Sequence, residues 1–116
     1  IMNRRFDKAL EVYNTTLEFS HETGHRLMAS KAMCGLAETY RNIGDLTKAK
    51  EFCLQAKDIF KQIESKLDLA KVLVEEALID RKTGQHGYQD NFEKAIALFT
   101  ELNAPKHVER VRRLMS

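Results

Sequence analysis

Residues 36–56 read LAETYRNIGDLTKAKEFCLQA, and this stretch decides the fold. Apolar and small residues return at Leu36, Ala37 and Tyr40 before Gly44-Asp45, then at Leu46, Ala49, Phe52, Cys53 and Ala56 after it. Both sets follow the i, i+3, i+4, i+7 spacing of one face of an α-helix. The glycine between them is the residue that most readily ends a helix. The stretch therefore reads as helix, tight turn, helix.

The same pattern repeats outward. Residues 26–44 (RLMASKAMCGLAETYRNIG) and 66–84 (KLDLAKVLVEEALIDRKTG) align at a shift of 40, pairing Leu27 with Leu67, Lys31 with Lys71, Ala37 with Ala77, Arg41 with Arg81 and Gly44 with Gly84. A second kind of helix follows each glycine. Its copies begin at Phe6, Leu46 and Phe92, aligning Lys8, Lys48 and Lys94, then Ala9, Ala49 and Ala95, then Tyr13, Cys53 and Phe99. On that alignment the last copy carries an insertion at 85–91. Nothing alternates with period two, so strands are not expected.

The expected fold class is all-α: antiparallel helix pairs stacked as a right-handed solenoid fragment. Residues 1–116 form one domain on this reading. Residues 3–22 are the second helix of a truncated repeat, 28–64 one repeat, and 67–103 another that includes the insertion. Residues 105–115 are a capping helix opened by Pro105, which suits a first helical turn. Each pair has an apolar face too wide to bury alone, and stacking in series covers it. The first helix lacks the partner the repeat predicts. Phe6, Leu10, Tyr13 and Leu17 are then expected to be partly exposed, and self-association through that end follows.

Composition narrows the functional classes. The chain has 116 residues, 43% apolar and 31% charged, with 19 basic and 17 acidic side chains and a net charge of +2. That is a globular balance with no bulk basic excess to attract nucleic acid or an anionic membrane. No apolar run approaches the roughly 18 residues of a membrane span. Cys34 and Cys53 have no CxxC spacing, which points to a reducing, cytoplasmic setting.

Residues 36–56 also resemble a tetratricopeptide repeat, with Leu36, Ala37, Tyr40, Gly44, Asp45, Ala49 and Ala56 in the places of that family's pattern. Repeats of about 40 residues resemble the helical arms of bacterial regulators and signalling ATPases. The resemblance implies a regulatory scaffold, not an enzyme, whose first helices line a concave groove for a protein or peptide. By register the groove positions are Lys31, Cys34, Gly35, Glu38, Arg41 and Asn42, then Lys71, Val74, Glu75, Leu78, Arg81 and Lys82. Lys31 over Lys71 and Arg41 over Arg81 would make two basic ladders for a ligand with acidic groups. No cofactor, metal or catalytic residue is expected.

Two other classes are weighed. His21-Glu22-Thr23-Gly24-His25 fits H-E-x-x-H, in which two histidines on one helical face hold zinc and the glutamate activates water in a metallopeptidase. Gly24 interrupts the helix that this chemistry needs, and no third ligand has a recognisable spacing. A nucleic-acid-binding helical repeat would need a continuous basic face with stacking aromatics. The groove positions offer none, and Arg110-Val-Arg-Arg113 reads as a solvated last turn.

Overall fold

A computed structural model describes residues 4–116. Six helices follow one another: α1 (Arg4–Thr23), α2 (Arg26–Ile43), α3 (Leu46–Gln62), α4 (Lys66–Thr83), α5 (Tyr88–Glu101) and α6 (Pro105–Met115). No strand occurs among the described residues. Each helix packs on its neighbours in sequence, and α2 also reaches α4 past α3, as in stacked pairs. Residue 3, where the first helix was expected to begin, lies outside the described residues.

All five turns use one hydrogen bond. The N–H of His25, Asp45, Ser65, Gln85 and Ala104 is donated to the carbonyl of Ser20, Tyr40, Phe60, Asp80 and Phe99, at 2.9–3.0 Å. This closes each helix with its last carbonyls satisfied and one residue in the left-handed region. Gly24, Gly44 and Gly84 take that place in three turns; Glu64 (φ 57°) and Asn103 (φ 59°) take it in the others. Asp45 Oδ1 then accepts from the Lys48 N–H at 3.2 Å, capping α3.

The turn carbonyls lie 20, 20, 20 and 19 residues apart, at Ser20, Tyr40, Phe60, Asp80 and Phe99. This overturns the insertion at 85–91. Helix α5 already begins at Tyr88, and its buried residues Phe92, Ala95 and Phe99 match Cys53, Ala56 and Phe60 of α3 at a shift of 39. Aligning Ala95 with Ala49 instead of Ala56 is a slip of seven residues. Two helical turns span about 7.2 residues, so the slip keeps every side chain on the same face and periodicity cannot detect it.

Among the described residues the interior has two cores. Met33, Ala37, Ala49, Cys53, Ala56, Phe60, Val72 and Ile79 form one between α2, α3 and α4. Ala70, Leu73, Val74, Ala77, Phe92, Ala95, Phe99 and Val111 form the other between α4, α5 and α6. Helix α4 contributes to both, so it is apolar on opposite sides and not along one stripe. At the N-terminal end, Phe6, Leu10, Tyr13 and Leu17 are half-buried by α2 and their own helix, and the exposed apolar side chains of α1 are Val12 and Phe19.

Candidate functional site

A cavity of about 490 Å³ runs across the first-type helices α2, α4 and α6. Of the expected groove residues, Lys31, Cys34, Gly35, Glu38 and Arg41 line it from α2, and Lys71, Val74, Glu75 and Leu78 from α4. Val72 of α4, Tyr13 of α1 and His107 and Arg110 of α6 complete the wall. Gly35 lets Tyr13 in: a Cβ there would lie 2.3 Å from the ring.

Three expected residues fall elsewhere. Asn42 and Lys82 are exposed and do not line the cavity. Arg81 turns toward α6, donating from Nη1 to the Leu114 carbonyl at 2.7 Å and lying 5.4 Å from the Phe92 ring centroid. Arg81 thereby satisfies one of the carbonyls in the last turn of α6. The arginine ladder is absent for a second reason. Arg41 donates from Nε and Nη2 to the Glu75 carboxylate, the latter at 3.3 Å, so it is engaged across the groove floor.

The lysine ladder is present and longer than expected. Shifts of 40 and 39 place Lys31, Lys71 and Arg110 at one repeat position, and all three line the cavity. None of them has an ion-pair partner among the described residues. Arg110 therefore lines the groove instead of belonging only to a solvated last turn, and a seven-residue slip in the α5 register conceals its equivalence to Lys71. Four cations (Lys31, Arg41, Lys71, Arg110) face two carboxylates (Glu38, Glu75), so lysines and arginines exceed carboxylates by two in the lining. His107 stacks on Phe99, with ring centroids 4.6 Å apart.

The electrostatics argue against nucleophilic chemistry. Burial, followed by the nearby carboxylates of Asp68, Glu75 and Glu38, pushes the Cys34 thiol up to about 12. A thiol so protonated at neutral pH is no nucleophile. Burial likewise pushes Cys53 up. Burial also holds Glu75 above the usual carboxylate range, with its pair to Arg41 only partly offsetting this. The H-E-x-x-H motif falls across a turn. Helix α1 ends at Thr23, Gly24 is left-handed (φ 74°), and His25 lies beyond it, so His21 and His25 do not share a helical face.

On the other side of α4 a cleft of about 640 Å³ lies between α3 and the α4–α5 turn, lined among others by Leu46, Lys50, Leu54, Ile79 and Asp80. Here α4 carries two more buried carboxylates. Lys50 Nζ donates to Asp80 at 2.6 Å and to Glu76 at 3.0 Å, and Lys57 Nζ donates to Glu76 at 2.7 Å. Burial pushes Glu76 up, but the hydrogen bonds and charges of Lys57 and Lys50 together outweigh it and hold the carboxyl below its ordinary value.

No described helix is long and apolar enough to cross a membrane. The family model for soluble NSF attachment protein, SNAP, matches residues 1–112. No curated protein and no solved structure matches the chain. The tetratricopeptide resemblance thus holds at the level of a helical-repeat fold, and the family is a different one. With the match spanning nearly every residue of six stacked helices, the chain belongs to the soluble NSF attachment protein (SNAP) family.

Proposed function

We propose that the chain is a non-catalytic, protein-binding scaffold that takes an extended peptide or protein segment into the groove across α2, α4 and α6. The observation that carries this reading is the Lys31–Lys71–Arg110 ladder, one cation per first-type helix at one repeat position, with no ion-pair partner among the described residues. A ligand with acidic groups spaced along an extended backbone suits it, and Val74 and Leu78 offer an apolar seat between the charges. The tetratricopeptide resemblance of residues 36–56 and a family named for attachment to another protein support the same reading. The test is a panel of labelled acidic peptides with one central leucine, titrated by fluorescence anisotropy. Lys71→Glu with Arg110→Glu should weaken binding about tenfold or more while the helical circular dichroism is kept, as losing desolvated charge pairs would. Equal affinity in wild type and variant would remove the groove from consideration.

Self-association through the N-terminal end is a second reading, and one comparison favours it. Val12 and Phe19 are 47% and 53% exposed, whereas Phe52 and Ile59, their equivalents in α3, pack against the first core. Sedimentation equilibrium of Phe19→Asp against wild type tests this. A monomer in both cases excludes it.

A further inference from the structure

The three seams between a second-type helix and the following first-type helix differ in chemistry. Between α1 and α2 the register places Leu10, Leu17, Leu36 and Tyr40. At the same positions between α3 and α4 stand Lys50, Lys57, Glu76 and Asp80, joined by three ion pairs of 2.6–3.0 Å. Between α5 and α6 the equivalents of Lys57 and Glu76 are Ile96 and Met115, both packed against the second core. Among the described residues only the middle seam is ionic. The pair of Arg41 with Glu75 also joins α4 to the preceding repeat, so among the described residues the ion pairs of α4's buried carboxylates all reach back to α2 or α3.

The surroundings of this seam matter as much as its charges. Val72 and Ile79 keep its centre apolar, but its charged rim meets open space on both sides. Arg41 and Glu75 line the groove, and Lys50 and Asp80 line the opposite cleft. Opening an apolar seam exposes hydrocarbon to water. Opening an ionic seam returns charges to water, which recovers much of what burying them cost. Local opening is therefore cheaper here than at a wholly apolar seam of the same area.

We propose that the α3–α4 seam is a hinge, closed by the Lys50–Lys57–Glu76–Asp80 cluster, at which α1–α3 and α4–α6 part along the groove without global unfolding. The apolar seams on either side hold each half rigid. Lys31, Cys34 and Glu38 then move with one half, and Lys71, Leu78 and Arg110 with the other, so opening changes the width of the groove. The hinge stands on the contacts of the seam and does not depend on any ligand occupying that groove.

The seam contains its own reporter. Cys53 is fully buried, and its Sγ lies 3.6 Å from the Val72 carbonyl across the seam. In Cys34→Ser protein it is the sole thiol, and an aromatic disulfide reagent reaches it only when the core between α2, α3 and α4 opens; a salt-dependent rate assigns that opening to the ionic seam. Under native conditions the labelling rate should exceed the global unfolding rate, measured separately in urea, by about tenfold or more, as sub-global opening does. It should rise about two- to fivefold between about 0.05 and about 1 M NaCl, a modest response because partly buried pairs are screened less than exposed ones. Giving the seam the α1–α2 chemistry (Lys50→Leu, Lys57→Leu, Glu76→Leu, Asp80→Tyr) should slow labelling at least tenfold and abolish the salt response. Labelling at the global unfolding rate overturns the hinge, and so does fast labelling indifferent to salt. The Cys34→Ser parent alone decides both points if the fourfold variant does not fold.

Discussion

Gly35→Ala gives the sharpest check on how α1 sits against α2. Gly35 lies inside α2, where glycine costs a helix about 1 kcal/mol relative to alanine. Taken alone the substitution should therefore stabilise. But an added Cβ meets the Tyr13 ring at 2.3 Å, and ordinary contact begins only at 3.4 Å. Tyr13 is half-buried between α2 and the groove, so the ring must leave its seat or α1 must lift. Overpacking of this kind costs about 1–3 kcal/mol. Set against the propensity gain of about 1 kcal/mol, the net change is a loss of about 0–2 kcal/mol. Removing the ring reverses the sign: in a Tyr13→Ala background, Gly35→Ala should gain about 1 kcal/mol. The assay is a double-mutant cycle of urea unfolding followed by circular dichroism. A coupling energy of about 1–3 kcal/mol is expected. A gain of similar size in both backgrounds would refute the close approach of the two helices. Gly44 and Gly84 supply a control, because a Cβ there meets nothing within 4 Å. Alanine at either should cost about 1–2 kcal/mol through left-handed strain, independently of Tyr13.

The buried carboxylates of α4 predict opposite responses to acid. Glu76 is held below its ordinary value of 4.5, so its contribution is whole above that pH and is lost as pH falls through its folded value. Glu75 is held above, so its burial penalty is relieved on acidification. In thermal melts across the acid range, Glu76→Gln should flatten the fall in melting temperature and Glu75→Gln should steepen it. Arg81→Met should loosen the end of α6 by removing the donor to Leu114, at a cost of about 1–3 kcal/mol and with faster amide exchange there. Elemental analysis of protein prepared without chelator should find no stoichiometric zinc; zinc lost on mutating His21 and His25 would revive the metallopeptidase.

Much of the fold could be read from residues that act locally. Gly44 and Gly84 end their helices through a conformation that glycine favours, and Pro105 opens α6 as a first-turn proline should. The turns at Glu64 and Asn103 adopt the same geometry without glycine and leave little trace in the sequence. Periodicity identified the face of α5 but not its register, because a slip of two turns preserves the face. The groove shows the same division. Lys31, Lys71, Val74 and Leu78 follow from one helix's phase and line the cavity. The engagement of Arg41 with Glu75, and of Arg81 with α6, depends on neighbours that phase alone does not locate.

The turns also supply what side-chain identity could not. Counting from the five turn carbonyls aligns Val111 with Val72, both buried, and Arg110 with Lys71 on the groove wall. The same count aligns Leu114 with Glu75, so the position that carries a buried acid in the middle repeat is apolar in the last. Two kinds of position emerge from this register. The groove wall keeps a cation at Lys31, Lys71 and Arg110 although the helices differ around it. The seam positions change from leucine and tyrosine to lysine and carboxylate between α1–α2 and α3–α4. A repeat that only needed to stack would be served by apolar seams throughout, since well-packed hydrocarbon is as stabilising as a buried ion pair or more so. The charges of the middle seam are thus better explained by what an ionic contact does differently, which is to separate into water at low cost. The proposed hinge then lies between the first two rungs of the cationic ladder, Lys31 and Lys71.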